Sequence, residues 1–139
     1  MGAYLNGGRW NPPDLVATIY LAEPLDACIA EFHRLAQGQA QGPSSLLPRV
    51  LHTIDVEELQ VLDLSTQEAR EEVGLTLADI ADDDRAKCQA VGEAAHFLGV
   101  QGIRAPSATG TGFVIAVFEP HTHPNQLHLV ETAALAPRI

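Results

Sequence analysis

Basic residues are scarce in this chain: among 139 residues, 8 Lys and Arg stand against 18 Asp and Glu, giving a formal net charge of −10. Proteins that grip nucleic acid by its phosphate backbone present a basic face, so this balance argues against direct nucleic-acid binding. An acidic surface suits a basic protein partner instead, and one or two well-placed arginines still suffice for a small phosphorylated ligand. Cysteine is equally sparse. Cys28 and Cys88 fall in segments that read as helical and moderately apolar. They are expected to be buried free thiols rather than a disulfide, which fits a reducing compartment. No apolar run approaches membrane-spanning length and no charged-then-apolar leader opens the sequence, so no membrane association and a cytoplasmic location are expected. Internal repeats and low-complexity tails are also missing. What is present, 46% hydrophobic and 19% charged residues, excludes wholesale disorder and is enough for one domain with a real core.

Hydrophobic patterning divides the chain into alternating elements. Residues 16–22 (Val-Ala-Thr-Ile-Tyr-Leu-Ala) read as a buried strand, and Pro24 opens a helix that runs to about residue 37. Leu25, Cys28, Ile29, Phe32 and Leu35 recur there at helical spacing as the expected core face, with Glu31 at its edge. Residues 38–45 form a polar connector. Strands are expected at 49–56 and 59–64, adjacent in the sheet, followed by short helical pieces at 66–73 and 77–80. Asp82-Asp83-Asp84 suits a helix start, because acidic groups favour the positive end of the helix dipole. A second long helix spans 85–98, with Val91, Ala94, Ala95 and Leu98 facing inward and Gly99 ending it. Further strands fall at 101–104, 113–118 and 126–130. Mixed strands with segregated helices make this an α+β domain.

The segment Gly7-Gly8-Arg9-Trp10-Asn11-Pro12-Pro13 can be neither helix nor regular strand, since two glycines free the backbone and two prolines bar re-entry into a ladder. A guanidinium on such a loop suits a bidentate grip on phosphate or carboxylate. His121, His123 and His128 superficially suggest a metal cluster. They lack a cysteine or carboxylate at zinc spacing and lie beside Pro120 and Pro124, so an incidental or structural role is expected and no metal. Ser107 has no Gly-x-Ser-x-Gly elbow around it. Gly110-Thr111-Gly112 lacks the lysine of a phosphate loop.

Four features follow one another in order: the Arg9 loop, Tyr20-Leu21-Ala22, Glu31 in Ala30-Glu31-Phe32, and Ser107 in Ala105-Pro106-Ser107-Ala108. Together with Gln89-Ala90-Val91-Gly92-Glu93-Ala94-Ala95 and Gly102-Ile103-Arg104, this order resembles the RES domain, a family named for its arginine, glutamate and serine. The resemblance covers nearly the whole chain. It implies an ADP-ribosyltransferase-like mixed sheet with flanking helices, and a toxin of a bacterial toxin–antitoxin pair that consumes NAD by phosphorolysis or hydrolysis. It also implies a helix-turn-helix antitoxin whose C-terminal region blocks the NAD pocket. The whole chain, 1–139, is expected to be one RES domain, N-terminally short for that family. A missing edge strand would expose backbone groups for a partner, so a homodimer or a tight antitoxin complex is expected.

Cleaving a nicotinamide–ribose bond builds positive charge on the ribose, as glycoside hydrolysis does. Glu31 is then the candidate to stabilise that charge or orient the attacking phosphate or water. Arg9 would hold the phosphates, Tyr20 would stack on nicotinamide or seat the ribose, and Ser107 would donate a hydrogen bond to the ribose or nicotinamide side. Trp10 and Asn11 would line the same pocket. NAD is substrate, and no metal or prosthetic group is required. Each residue alone has a plainer reading: Tyr20 and Trp10 as core, Glu31 as a solvated helix residue, Ser107 as turn chemistry. Their joint occurrence carries the assignment. A protein-directed ADP-ribosyltransferase using the same pocket and a non-catalytic binding module remain the alternatives.

Overall fold

Six strands and four α-helices order the described part of the chain, residues 7–37 and 49–138 of a computed structural model. In sequence these are β1 (Thr18–Glu23), α1 (Leu25–Ala36), β2 (Val50–Val56), β3 (Val61–Asp63), α2 (Gln67–Glu72), α3 (Leu77–Ala81), α4 (Ala86–Phe97), β4 (Gly102–Pro106), β5 (Phe113–Phe118) and β6 (Leu127–Ala134). The connector expected at 38–45 lies outside the described residues. A four-stranded mixed sheet runs in the order β1-β5-β4-β3, antiparallel except for the parallel pair β3–β4. β5 is the continuous apolar run Phe-Val-Ile-Ala-Val-Phe, which suits a central strand; Val114, Ala116 and Phe118 are buried on one face with Ile103 and Ala105 of β4. Trp10, Leu64, Leu75, Ile80, Cys88 and Ala95 close the core over that face. The mixed sheet with flanking helices is the expected α+β architecture.

Strand pairing departs from expectation at one place. β2 and β3 are not neighbours: β2 pairs with β6 in a separate two-stranded sheet, and β3 pairs with β4. A parallel pair needs a long crossover, and α2, α3 and α4 between β3 and β4 provide it. β2 has only Leu51, Ile54 and Val56 half-buried, and its register shifts between Thr53 and Ile54. That bulge reconciles the uneven apolar spacing with a single face, which suits a marginal ribbon better than a central strand.

Both long helices bury part of the expected face, Phe32 in α1 and Ala95 in α4, but are rotated so that other expected core residues lie outside it. In α1 the buried residues are Ala27, Phe32 and Ala36, whereas Leu35 is 52% exposed and Cys28 is half-buried. Small alanines let α1 lie close against β1, and the larger stripe at Cys28 and Leu35 becomes the wall of a cleft. In α4 the buried residues are Cys88, Gly92 and Ala95, while Ala94 is exposed and Leu98 is 82% exposed. Gly92 explains that rotation. The backbone of Trp10 passes so close that a Cβ on residue 92 would overlap the Trp10 carbonyl oxygen. The aspartates before α4 form successive turns, with Asp82 Oδ1 accepting from the Asp84 amide at 2.9 Å and Asp84 Oδ1 from the Ala86 amide at 3.0 Å.

Gly92→Ala is therefore expected to destabilise the protein by about 1–3 kcal/mol, the usual cost of overpacking. Urea unfolding of the variant against the native chain measures this, and an unchanged midpoint would mean that α4 and the Trp10 segment are not in close contact.

Candidate active site

A turn with no regular secondary structure carries Arg9, and it is held from three directions. Gly8 and Asn11 form an isolated antiparallel bridge, with the Gly8 amide donating to the Asn11 carbonyl at 2.9 Å. Gln89 of α4 donates to the Gly8 carbonyl at 2.8 Å. From β1, the Tyr20 hydroxyl accepts from the Trp10 amide at 2.9 Å and donates to Asn11 Oδ1 at 2.5 Å. Burial outweighs these contacts and the nearby Arg85 and Arg9, pushing the Tyr20 phenol up to about 12. Tyr20 thus combines the two readings available from sequence: it is packed on the core and it borders the cleft, with its hydroxyl given to the loop. Asn11 is fully buried and also reaches the Val16 carbonyl, so it acts as a strut behind the loop. Trp10 is fully buried as well, bordering the cleft while filling the core.

Glu31, on α1, lines the cleft, and one of its carboxylate oxygens accepts from the Ser107 hydroxyl at 2.6 Å. Ser107 follows β4 directly and is 4% exposed. The tight loop at 107–112 closes by hydrogen bonds from the Ser107 amide to the Gly112 carbonyl and from the Gly110 amide to the Ser107 carbonyl, both 3.0 Å. Gly112, at φ +64°, lets this loop nest against Pro24 and Ala27 at the start of α1. The serine expected to donate toward the ribose or nicotinamide gives its proton to the Glu31 carboxylate in this structure.

The cleft between α1, β1 and the Arg9 turn has a volume of about 520 Å³. Arg9, Glu31 and Tyr20 come together there, as expected from sequence, and so do Arg34, Arg85 and Cys28, which sequence reading did not single out. Arg34 lies one helical turn beyond Glu31, a spacing that places both on one face and was available as a signal. Its guanidinium donates to the Ala108 carbonyl at 2.7 Å, to the Ala81 carbonyl at 3.1 Å and to the exposed Asp83 carboxylate at 3.2 Å. Arg9 Nη1 donates to the Asp82 carbonyl at 2.8 Å. Three of the eight basic residues of a strongly acidic chain thus line one cleft. That concentration suits an anionic ligand. Burial, and then the neighbouring Glu31, push the Cys28 thiol up; burial does the same to Cys88 despite the adjacent Arg9. Neither thiol is tuned as a nucleophile. Outside the cleft, His121 Nε2 meets His96 Nδ1 at 2.9 Å and His128 leans toward Glu57 at 3.8 Å.

The raised Tyr20 value sets an alkaline limit on stability. The unfolded phenol titrates at its ordinary value of 10 and the folded one at about 12, so this contribution is intact below the first and lost as pH rises through the second. Thermal melts across that window are expected to show a decline that Tyr20→Phe removes. The same variant should cost about 1–3 kcal/mol at neutral pH, because the Trp10 amide loses its acceptor.

The RES domain profile matches residues 1–136. The chain is 48% identical over 140 aligned positions to the NAD(+) phosphorylase MbcT of Mycobacterium tuberculosis and to that of Mycobacterium bovis, spanning 99% of this chain and 75% of each relative. A chain in the crystal structure of the M. tuberculosis MbcT–MbcA toxin–antitoxin complex superposes with a TM-score of 0.88 at 47% identity, covering 99% of this chain and 76% of that one. Among the described residues no helix is long and apolar enough to cross a membrane. With its arginine and glutamate lining one cleft, its serine bonded to that glutamate and the profile spanning it almost end to end, this chain belongs to the RES domain family.

Proposed function

We propose that this protein is the NAD-degrading toxin of a toxin–antitoxin pair and that its reaction is phosphorolysis of the nicotinamide–ribose bond. The observation that carries the chemistry is a serine-held carboxylate, Glu31, in the wall of a cleft lined by three arginines. The 48% identity to an NAD(+) phosphorylase supports NAD and phosphate as the substrates. NAD enters as a substrate, and the reaction calls for no metal or prosthetic group.

In this reading an oxygen of inorganic phosphate forms a bond to the ribose carbon as the carbon–nitrogen bond breaks. The bonding pair returns to the pyridinium ring, so nicotinamide leaves neutral. Positive charge develops on the ribose between these events, and Glu31 supplies the opposing charge. Arg9, Arg34 and Arg85 supply cations for the pyrophosphate of NAD and for the incoming phosphate. Ser107 acts through Glu31, while Tyr20, Trp10 and Asn11 hold the Arg9 turn in place. The two free thiols suit a reducing cytoplasm. The likeness to MbcT in its complex with MbcA supports an antitoxin as the partner of this chain.

Glu31→Gln is the sharpest test, because glutamine still offers Ser107 an acceptor and the fold should survive. NAD consumption in phosphate buffer is expected to fall about a hundred- to a thousandfold, the usual loss when an electrostatic stabiliser is removed. Undiminished turnover would take Glu31 out of the mechanism. Turnover by the native chain that persists at the same rate without phosphate would make it a glycohydrolase. Label transferred from NAD to protein would identify a protein acceptor instead.

A further inference from the structure

Ser107 Oγ stands among three partners, and their proton count fixes the direction of every bond. Its single proton goes to Glu31, 2.6 Å away. Its two lone pairs face Thr109 alone: the Thr109 amide donates to it at 3.1 Å, and Thr109 Oγ1 lies 2.7 Å away. With the Ser107 proton committed to the carboxylate, the hydroxyl–hydroxyl contact has its donor in Thr109. Thr109 Oγ1 in turn accepts from the Thr111 amide at 3.2 Å, which leaves its own proton free to point at Ser107. The chain of donors therefore runs one way, from the Thr111 amide through Thr109 and Ser107 to Glu31.

We infer that Thr109 is a positioning residue for the reaction: its hydroxyl fills the remaining acceptor site of Ser107 and so locks the serine as a donor to Glu31. Without that hydroxyl Ser107 Oγ keeps an unfilled lone pair and loses one of the contacts that fix it in place, so the side chain can shift off the position that meets the carboxylate. Glu31 then loses the contact that aims it, although nothing touching the substrate has changed. Thr109 is half-buried and lies outside the lining of the cleft, so this effect reaches the chemistry only through Ser107. A sub-ångström loss of aim at a charge-stabilising group lowers turnover while leaving substrate binding largely intact.

This inference rests on the reading of Glu31 as the carboxylate of NAD phosphorolysis, and the test separates the two. Steady-state NAD phosphorolysis is measured for the native chain, Thr109→Val, Thr109→Ser, Ser107→Ala and the double variant Ser107→Ala/Thr109→Val, each checked for folding by thermal melt. Valine keeps the shape and removes the hydroxyl. It is expected to lower kcat about ten- to a hundredfold with KM changed less than about threefold. Serine restores the hydroxyl and is expected to return kcat to near the native value. In the Ser107→Ala background, Thr109→Val is expected to add nothing, because the residue through which it acts is gone. Should the valine variant fail to fold, Thr109→Ala gives the same comparison. Native-like kcat in a folded hydroxyl-free variant would overturn the inference while leaving the phosphorylase reading intact, as would independent, multiplicative losses in the double variant. Absence of NAD turnover in the native chain would remove both.

Discussion

The Tyr20 hydroxyl joins the β1–β5 pair to a turn that has almost no hydrogen bonds of its own among the described residues. A phenol suits this task because its ring is held by packing and only the hydroxyl rotor remains to be fixed. It saturates one donor and one acceptor of the turn, and desolvation strengthens both bonds. Gln89 and the close contact at Gly92 then clamp the same turn from α4. Arg9 inherits a defined position from these contacts, so the electrostatics of the cleft depend on a tyrosine and a glycine that carry no charge.

The arginines are anchored in an uncommon manner for surface-lining cations. Arg9 and Arg34 bind backbone carbonyls at Asp82, Ala81 and Ala108, and among the described residues their carboxylate contact is limited to the solvent-exposed Asp83. An exposed ion pair contributes little and is screened by salt. Carbonyl anchors immobilise a guanidinium without cancelling its charge. Three cations thereby line one cleft of a strongly acidic protein, beside Glu31 and Asp83, an arrangement that suits an anionic ligand. Glu31 is held differently: its carboxylate accepts from the Ser107 hydroxyl rather than from an arginine.

Sequence and structure agree where chemistry is local. The Arg9 turn, the strand holding Tyr20, the helix holding Glu31 and the serine after β4 all follow from Gly/Pro punctuation and hydrophobic period; the first three meet at one cleft, and the serine bonds to Glu31 beside it. Disagreement arises where small residues decide the packing. Apolar size placed Leu35 and Leu98 in the core, whereas close approach through Ala27, Ala36 and Gly92 put both at the surface. A helical period identifies a stripe but cannot say whether that stripe meets a sheet or walls a cavity. Long-range pairing was also hidden: nothing local to β2 marks β6 as its partner across more than seventy residues. The roles of Ser107 and Asn11 needed side-chain directions, which spacing alone does not contain.

The loop between β4 and β5 gives Ser107 a place that is counted rather than shaped. The ladder runs in register up to the pair Pro106–Phe113, and the next rung closes from Ser107 to Gly112. Ser107 is therefore located by the same register that pairs the strands, and its distance from Glu31 is a property of loop length. A side chain at Gly110 would meet nothing within 4 Å, although its φ of +83° favours glycine, and a substitution there leaves that count unchanged. A single inserted or deleted residue would not. Across relatives this segment should accordingly hold one fixed length, a pattern set by the spacing of two strands.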